Sequence, residues 1–143
     1  MQLDAASHGV YLHIPFCSKR CDYCAFATFT DRHHLTGEYL RAMRIHINTV
    51  VAQGMLPATS VFVGGGTPSM VPAEELVAVI REIPLAPHAE VTVECNPDNI
   101  TLQMMRTYRE GGVNRISIGV QSTVPHVLAA LGRTHDPENV RRS

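Results

Sequence analysis

The stretch VYLHIPFCSKRCDYC, residues 10–24, runs from a strand directly into a loop with three cysteines. Val10–Ile14 is rich in β-branched and aromatic residues and is stopped by Pro15, the pattern of a short buried strand. The loop that follows sets Cys17, Cys21 and Cys24 at C-x3-C-x2-C spacing. Working outward, the same arrangement returns three times. Ser60–Val63 is followed by Gly64, Gly65 and Gly66, Glu90–Glu94 closes on Glu94, and Arg115–Val120 is followed by Gln121. Helical periodicity fills the intervals. Leu35–Gln53 carries Leu40, Met43, Ile47, Val50 and Val51 and stops at Gly54. Pro72 suits a first helical position, with Glu74 and Glu75 in the first turn and Leu76, Val77, Ile80 and Ile83 as the apolar face. Thr101 can cap a helix bearing Leu102, Met105 and Tyr108, which ends at Gly111 and Gly112, and Val124–Leu131 is a short fourth.

The order βαβαβαβα predicts an α/β fold with a parallel sheet and right-handed crossovers. Periodicity allows a half barrel or an open doubly wound sheet. In both, ligands collect at the C-terminal ends of the strands, where the unusual residues of this sequence fall.

Composition sets the boundaries. The chain has 143 residues, 45% hydrophobic and 17% charged, ordinary for a packed domain. Its net charge of −1 gives no basic excess for nucleic acid. The apolar runs are strand-sized, far below the ~20 residues that span a bilayer. The first nine residues show no basic segment followed by an apolar one, so a cytoplasmic location is expected. In a reducing compartment, three cysteines within eight residues read as metal ligands rather than disulfide partners.

Three thiolates on one loop can hold three corners of an iron–sulfur cubane and leave its fourth iron open to a substrate. A structural zinc site is the main alternative. It wants four ligands, so His13, His33 or Cys95 would have to join. A redox dithiol of Cys21 and Cys24 is another. Lys19 and Arg20 either offset thiolate charge or are solvated loop residues. Cys95, beside an apolar strand end, reads as a buried inert thiol.

Taken together, the motifs resemble one family, the radical S-adenosylmethionine (SAM) proteins related to oxygen-independent coproporphyrinogen III oxidase. Tyr11 to Cys24 resembles the family's opening motif, and Gly64 to Ser69, GGGTPS, resembles its glycine-rich SAM-contacting motif. ECNP at Glu94–Pro97, NRISIGVQS at Asn114–Ser122 and LGR at Leu131–Arg133 resemble three further blocks, in the family's order. The resemblance implies the first βα units of a partial (β/α)6 barrel, truncated after about four. It implies a [4Fe–4S] cluster on Cys17, Cys21 and Cys24, with SAM on the open iron. It also implies an electron donor such as flavodoxin or ferredoxin, and cleavage of SAM to a 5′-deoxyadenosyl radical. Position by position, Tyr11, Tyr23, Gly65, Gly66, Thr67, Glu94, Gln121 and Arg133 would contact SAM. No catalytic residue is assigned.

The oxidase motif has a further cysteine two residues after the third ligand, where this chain has Phe26. That departure points to the haem chaperone branch of the family, with haem or porphyrin as the partner; the alternative is the oxidase itself, performing radical decarboxylation in porphyrin biosynthesis. Family members run to several hundred residues. The chain is therefore expected to be a partial radical SAM core domain, residues 1–143, with the remaining barrel, a C-terminal domain and the haem-binding region lying outside it.

Overall fold

The computed structural model describes residues 8–133 and 135–143. Four strands, β1 (Gly9–Ile14), β2 (Ala58–Gly65), β3 (Leu85–Cys95) and β4 (Arg115–Ile118), form one sheet in sequence order with all neighbours parallel. Helices α1 (Thr36–Ala52), α2 (Ala73–Ile80) and α3 (Leu102–Glu110) make the crossovers. Two short helices follow, α4 (Pro125–Ala130) and α5 (Pro137–Arg142).

The register explains why the chain folds this way. Leu12, Val63, Val93 and Ile116 lie side by side in one row, and Val10, Val61 and Val91 in another. Because side chains alternate along a strand, these rows share one face of the sheet. That face is buried with Leu40 and Ile47 of α1, Leu76, Val79 and Ile80 of α2 and Tyr108 of α3, in one apolar core. Helix α1 packs on α2, and α2 on α3. The other face carries Tyr11, His13, Phe62, Thr92, Glu94 and Arg115. Helices gathered over one face and polar groups on the other are the arrangement of an open barrel wall. A doubly wound sheet would bury both faces.

The four strands and the first four helices fall where the sequence places them, with shifted ends. The fourth strand stops at Ile118, not Val120. The Val120 N–H turns back to the Ile118 carbonyl, and Gln121 takes a left-handed φ of 59°. The third strand begins at Leu85 rather than Glu90, because Leu85 pairs with Ala58 before a register shift. The second helix starts at Ala73, with Pro72 as its cap rather than its first residue. Thr101 caps α3 as expected, its hydroxyl accepting from Met104 N at 3.1 Å. Leu102 is exposed, and Met104 joins Met105 and Tyr108 against the core instead. Helix α5 has no counterpart in the sequence reading. Asp136 caps it by accepting from Glu138 N.

Candidate functional site

Cys17 leaves β1 through Pro15 and Phe16, and Phe16 is buried. The loop is closed at its base by two backbone bonds, Cys17 N to Phe29 O at 3.0 Å and Phe29 N to Pro15 O at 2.7 Å. Inside it, Cys24 N donates to Cys21 O at 3.0 Å, and Arg20 donates to Cys24 O at 3.2 Å. His13 on β1 meets Ala27 O through Nε2 at 2.8 Å, tying the far limb of the loop to the sheet. Asp22 sits against Gly132, where a Cβ would lie 2.8 Å from the Asp22 carboxylate. These contacts hold a segment with no regular structure in one shape. All three thiols are free. Cys17 is buried, while Cys21 and Cys24 are half-buried.

The glycine segment closes a second wall. Gly66 N donates to Ile14 O at 2.7 Å, and Thr67 N to Phe16 O at 2.8 Å, so β2 continues alongside the start of the cysteine loop. A Cβ on Gly66 would lie 2.6 Å from Phe16 O and 3.0 Å from Cys17 Sγ. Only glycine permits that approach. The Thr67 hydroxyl stands 3.7 Å from Cys17 Sγ. Burial pushes the Cys17 thiol above its usual range, opposed by the Thr67 hydroxyl and reinforced by Cys24 and Cys21.

The third wall comes from the ends of β3 and β4. Cys17, Cys21, Cys24, Tyr23, Gly65, Gly66, Thr67, Glu94, Gln121 and Arg133 all line one cavity of about 440 Å³, a volume suited to a small-molecule ligand. Segments far apart in sequence therefore meet at the C-terminal ends of the strands. The thiols stand apart along the loop. Among the described residues no three His, Cys, Asp or Glu side chains gather around one point. Cysteine-only donors on one loop, with glycine backbone against the first, suit a bulky soft-metal cluster beside a second ligand.

Tyr11 is not in that lining but shares the open face of the sheet with Glu94. It lies deeper along β1, its ring stacked on Phe62 and its hydroxyl 3.0 Å from His13 Nδ1, and it borders a separate groove against α1. Cys95 is buried, with its thiol pushed up to about 12 by desolvation and then by the Glu94 carboxylate. The sequence reading missed His135. It lines the cavity and is almost fully buried. A lone histidine two residues after an arginine gives no motif signal, and only its packing marks it.

Residues 11–143 match the Radical SAM superfamily. The chain is 41% identical over 138 residues to the haem chaperone HemW of Mycobacterium tuberculosis, covering 90% of this chain and 35% of that protein. To HemW of Escherichia coli K12 it is 40% identical over 146 residues, covering 94% and 37%. In structure it resembles coproporphyrinogen III oxidase of E. coli, with a TM-score of 0.78 at 27% identity, over 92% of this chain and 32% of that one. The chain thus spans about a third of the length of these relatives.

Proposed function

The chain belongs to the radical SAM superfamily, and on that footing we propose that Cys17, Cys21 and Cys24 hold a [4Fe–4S] cluster, with SAM in the adjoining cavity. In this reading residues 1–143 are part of the radical SAM core of a cytoplasmic haem chaperone served by a one-electron donor such as flavodoxin or ferredoxin. The observation that carries it is the single cavity lined by the three cysteines, Gly65–Thr67, Glu94, Gln121 and Arg133. Together the cluster and SAM supply one-electron radical chemistry. The chain's own residues orient and shield. Backbone at Gly65 and Gly66 admits SAM close to the sheet. Glu94 offers a carboxylate to its ammonium, Tyr23 an aromatic wall, and Gln121 and Arg133 further polar groups. Burial of Cys17 and Phe16 keeps water from the inner corner.

Haem handling is supported by the HemW relatives and by Phe26, which lines the cavity where an oxidase would carry a fourth cysteine. The structural likeness to coproporphyrinogen III oxidase keeps radical decarboxylation of a porphyrinogen as a second reading. One sample separates them. The protein is expressed at full natural length, reconstituted anaerobically, and assayed for iron and sulfide, for haem by visible titration, and for decarboxylation. A loaded cluster with stoichiometric haem and no decarboxylation fits the chaperone. Turnover of coproporphyrinogen would overturn it.

A further inference from the structure

Arg133 does more than border the cavity. Its guanidinium meets three different segments: Nη2 donates to Gly119 O at 2.7 Å, Nε to His135 Nδ1 at 3.3 Å, and Nη1 lies 3.9 Å from Cys21 Sγ. Three of its five N–H groups are therefore engaged, and the plane of the group is fixed at three points. The end of β4 and the loop before α5 hold it against a proposed cluster ligand far away in sequence.

His135 is the unexpected partner. It is 4% exposed, and among the described residues its Nε2 is buried without a hydrogen-bond partner within 3.5 Å. What the imidazole adds is an acceptor. Because Nδ1 receives the Arg133 Nε proton, the ring carries its own proton on Nε2. Burial, and then the neighbouring Arg133 charge, hold it in the neutral form that this contact needs.

We propose that Arg133 is a hydrogen-bond donor to the Cys21 sulfur that raises the reduction potential of the cluster, and that His135 is the positioning residue that aims it. This rests on the reading of Cys21 as a cluster ligand. Reduction adds one negative charge to the cluster and its thiolates. A cation with an N–H directed at a ligand sulfur stabilises the reduced form more than the oxidised one. The electron comes from a low-potential one-electron donor, and no proton is transferred. The two remaining N–H groups of Arg133 leave it free to serve SAM as well.

The test uses protein of full natural length, reconstituted anaerobically without SAM, as wild type and as Arg133→Gln, Arg133→Lys, His135→Ala and His135→Asn. Iron and sulfide are measured first, then the potential by redox titration followed by electron paramagnetic resonance. Arg133→Gln is expected to keep its iron and lose about tenfold in the ratio of reduced to oxidised cluster at fixed potential, a shift of about 59 mV for one electron. His135→Ala should shift in the same direction by less. His135→Asn, whose amide oxygen stands in for Nδ1, should recover most of that shift. Should Arg133→Gln lose its cluster, Arg133→Lys and the two His135 variants carry the same comparison. A loaded wild type whose loaded variants share its potential overturns the inference alone. A wild type that takes up no iron and sulfide overturns the cluster reading, and the inference falls with it.

Discussion

The Glu94 carboxylate accepts a hydrogen bond from the Gly65 backbone N–H at 3.3 Å, joining the C-terminal ends of β3 and β2 across one side of the cavity. A Cβ at Gly64 would lie 2.7 Å from the same Oε2, so the glycine run also makes room for this carboxylate. With Oε2 occupied by the main chain, Oε1 is left for a cationic group of a ligand. Glu94→Gln should keep the shape and lose the charge. A charge-assisted hydrogen bond contributes about 1.5–3 kcal/mol, so affinity for SAM should fall about 10–100-fold. Calorimetry on reconstituted protein measures it, with iron content unchanged. Equal SAM affinity in the two proteins would remove Glu94 from the binding set.

The strands were legible because Val10–Ile14, Ser60–Val63 and Glu90–Glu94 pair β-branched or aromatic residues with clear stops. The gathering of cysteine, glycine and acidic residues followed from their common position after strands. Other features depended on contacts that sequence does not carry. Leu85 is in β3 because Ala58 lies opposite it, a fact of register rather than propensity. Tyr11 resembles a SAM contact by motif. It stands three residues before the end of β1, outside the cavity's lining, and its hydroxyl meets His13, whose ring lies against Gly65. His135 acquires a role only once folding places it beside Arg133.

Gly65 has φ of 113°, and a Cβ there would lie 2.6 Å from the His13 ring and 3.1 Å from Ile14 O. Substitution therefore strains the backbone and displaces His13, whose other contact holds the cysteine loop at Ala27. A Gly65→Val change would disturb the loop along with any bound SAM, so it does not isolate one effect. Gly65→Ala should cost about 1–3 kcal/mol of stability, read as a lower urea midpoint in protein without iron. An unchanged midpoint would show that the loop accommodates a side chain.

Cys95 gives a pH signature. Its thiol is pushed from 9.0 to about 12 in the fold. Between those values the native chain keeps a proton that the unfolded chain has lost. Stability from this group is thus complete below pH 9 and declines as pH rises through the window. The slope is at most about 1.4 kcal/mol per pH unit. Burial pushes Tyr108 in the same direction, so some decline remains without Cys95. Cys95→Ala should flatten the alkaline loss in urea unfolding and retain the wild-type iron after reconstitution. Loss of iron in this variant, with retention in Cys21→Ala, would reverse the ligand assignment.

Residues 1–143 on their own present two sheet edges, β1 and β4, each paired on one side only among the described residues. On the short β4, Ile116 and Ile118 are half-buried, and exposed Tyr11, Tyr23, Phe26 and Phe29 spread apolar area over β1 and the cysteine loop. Open strand edges with apolar side chains nearby favour pairing between chains. A polypeptide limited to these residues should therefore self-associate with rising concentration in light scattering. A cluster reconstituted in it should bleach in air faster than in the protein of full natural length, because Cys21 and Cys24 are only half-buried. SAM cleavage should be weak, since orientation of the sulfonium needs walls on all sides. The measurements are size by light scattering, absorbance decay in air, and 5′-deoxyadenosine by chromatography. A stable monomer that cleaves SAM at the rate of a full-length radical SAM relative would show that these residues form a self-sufficient unit, with the open face of the sheet tolerating water.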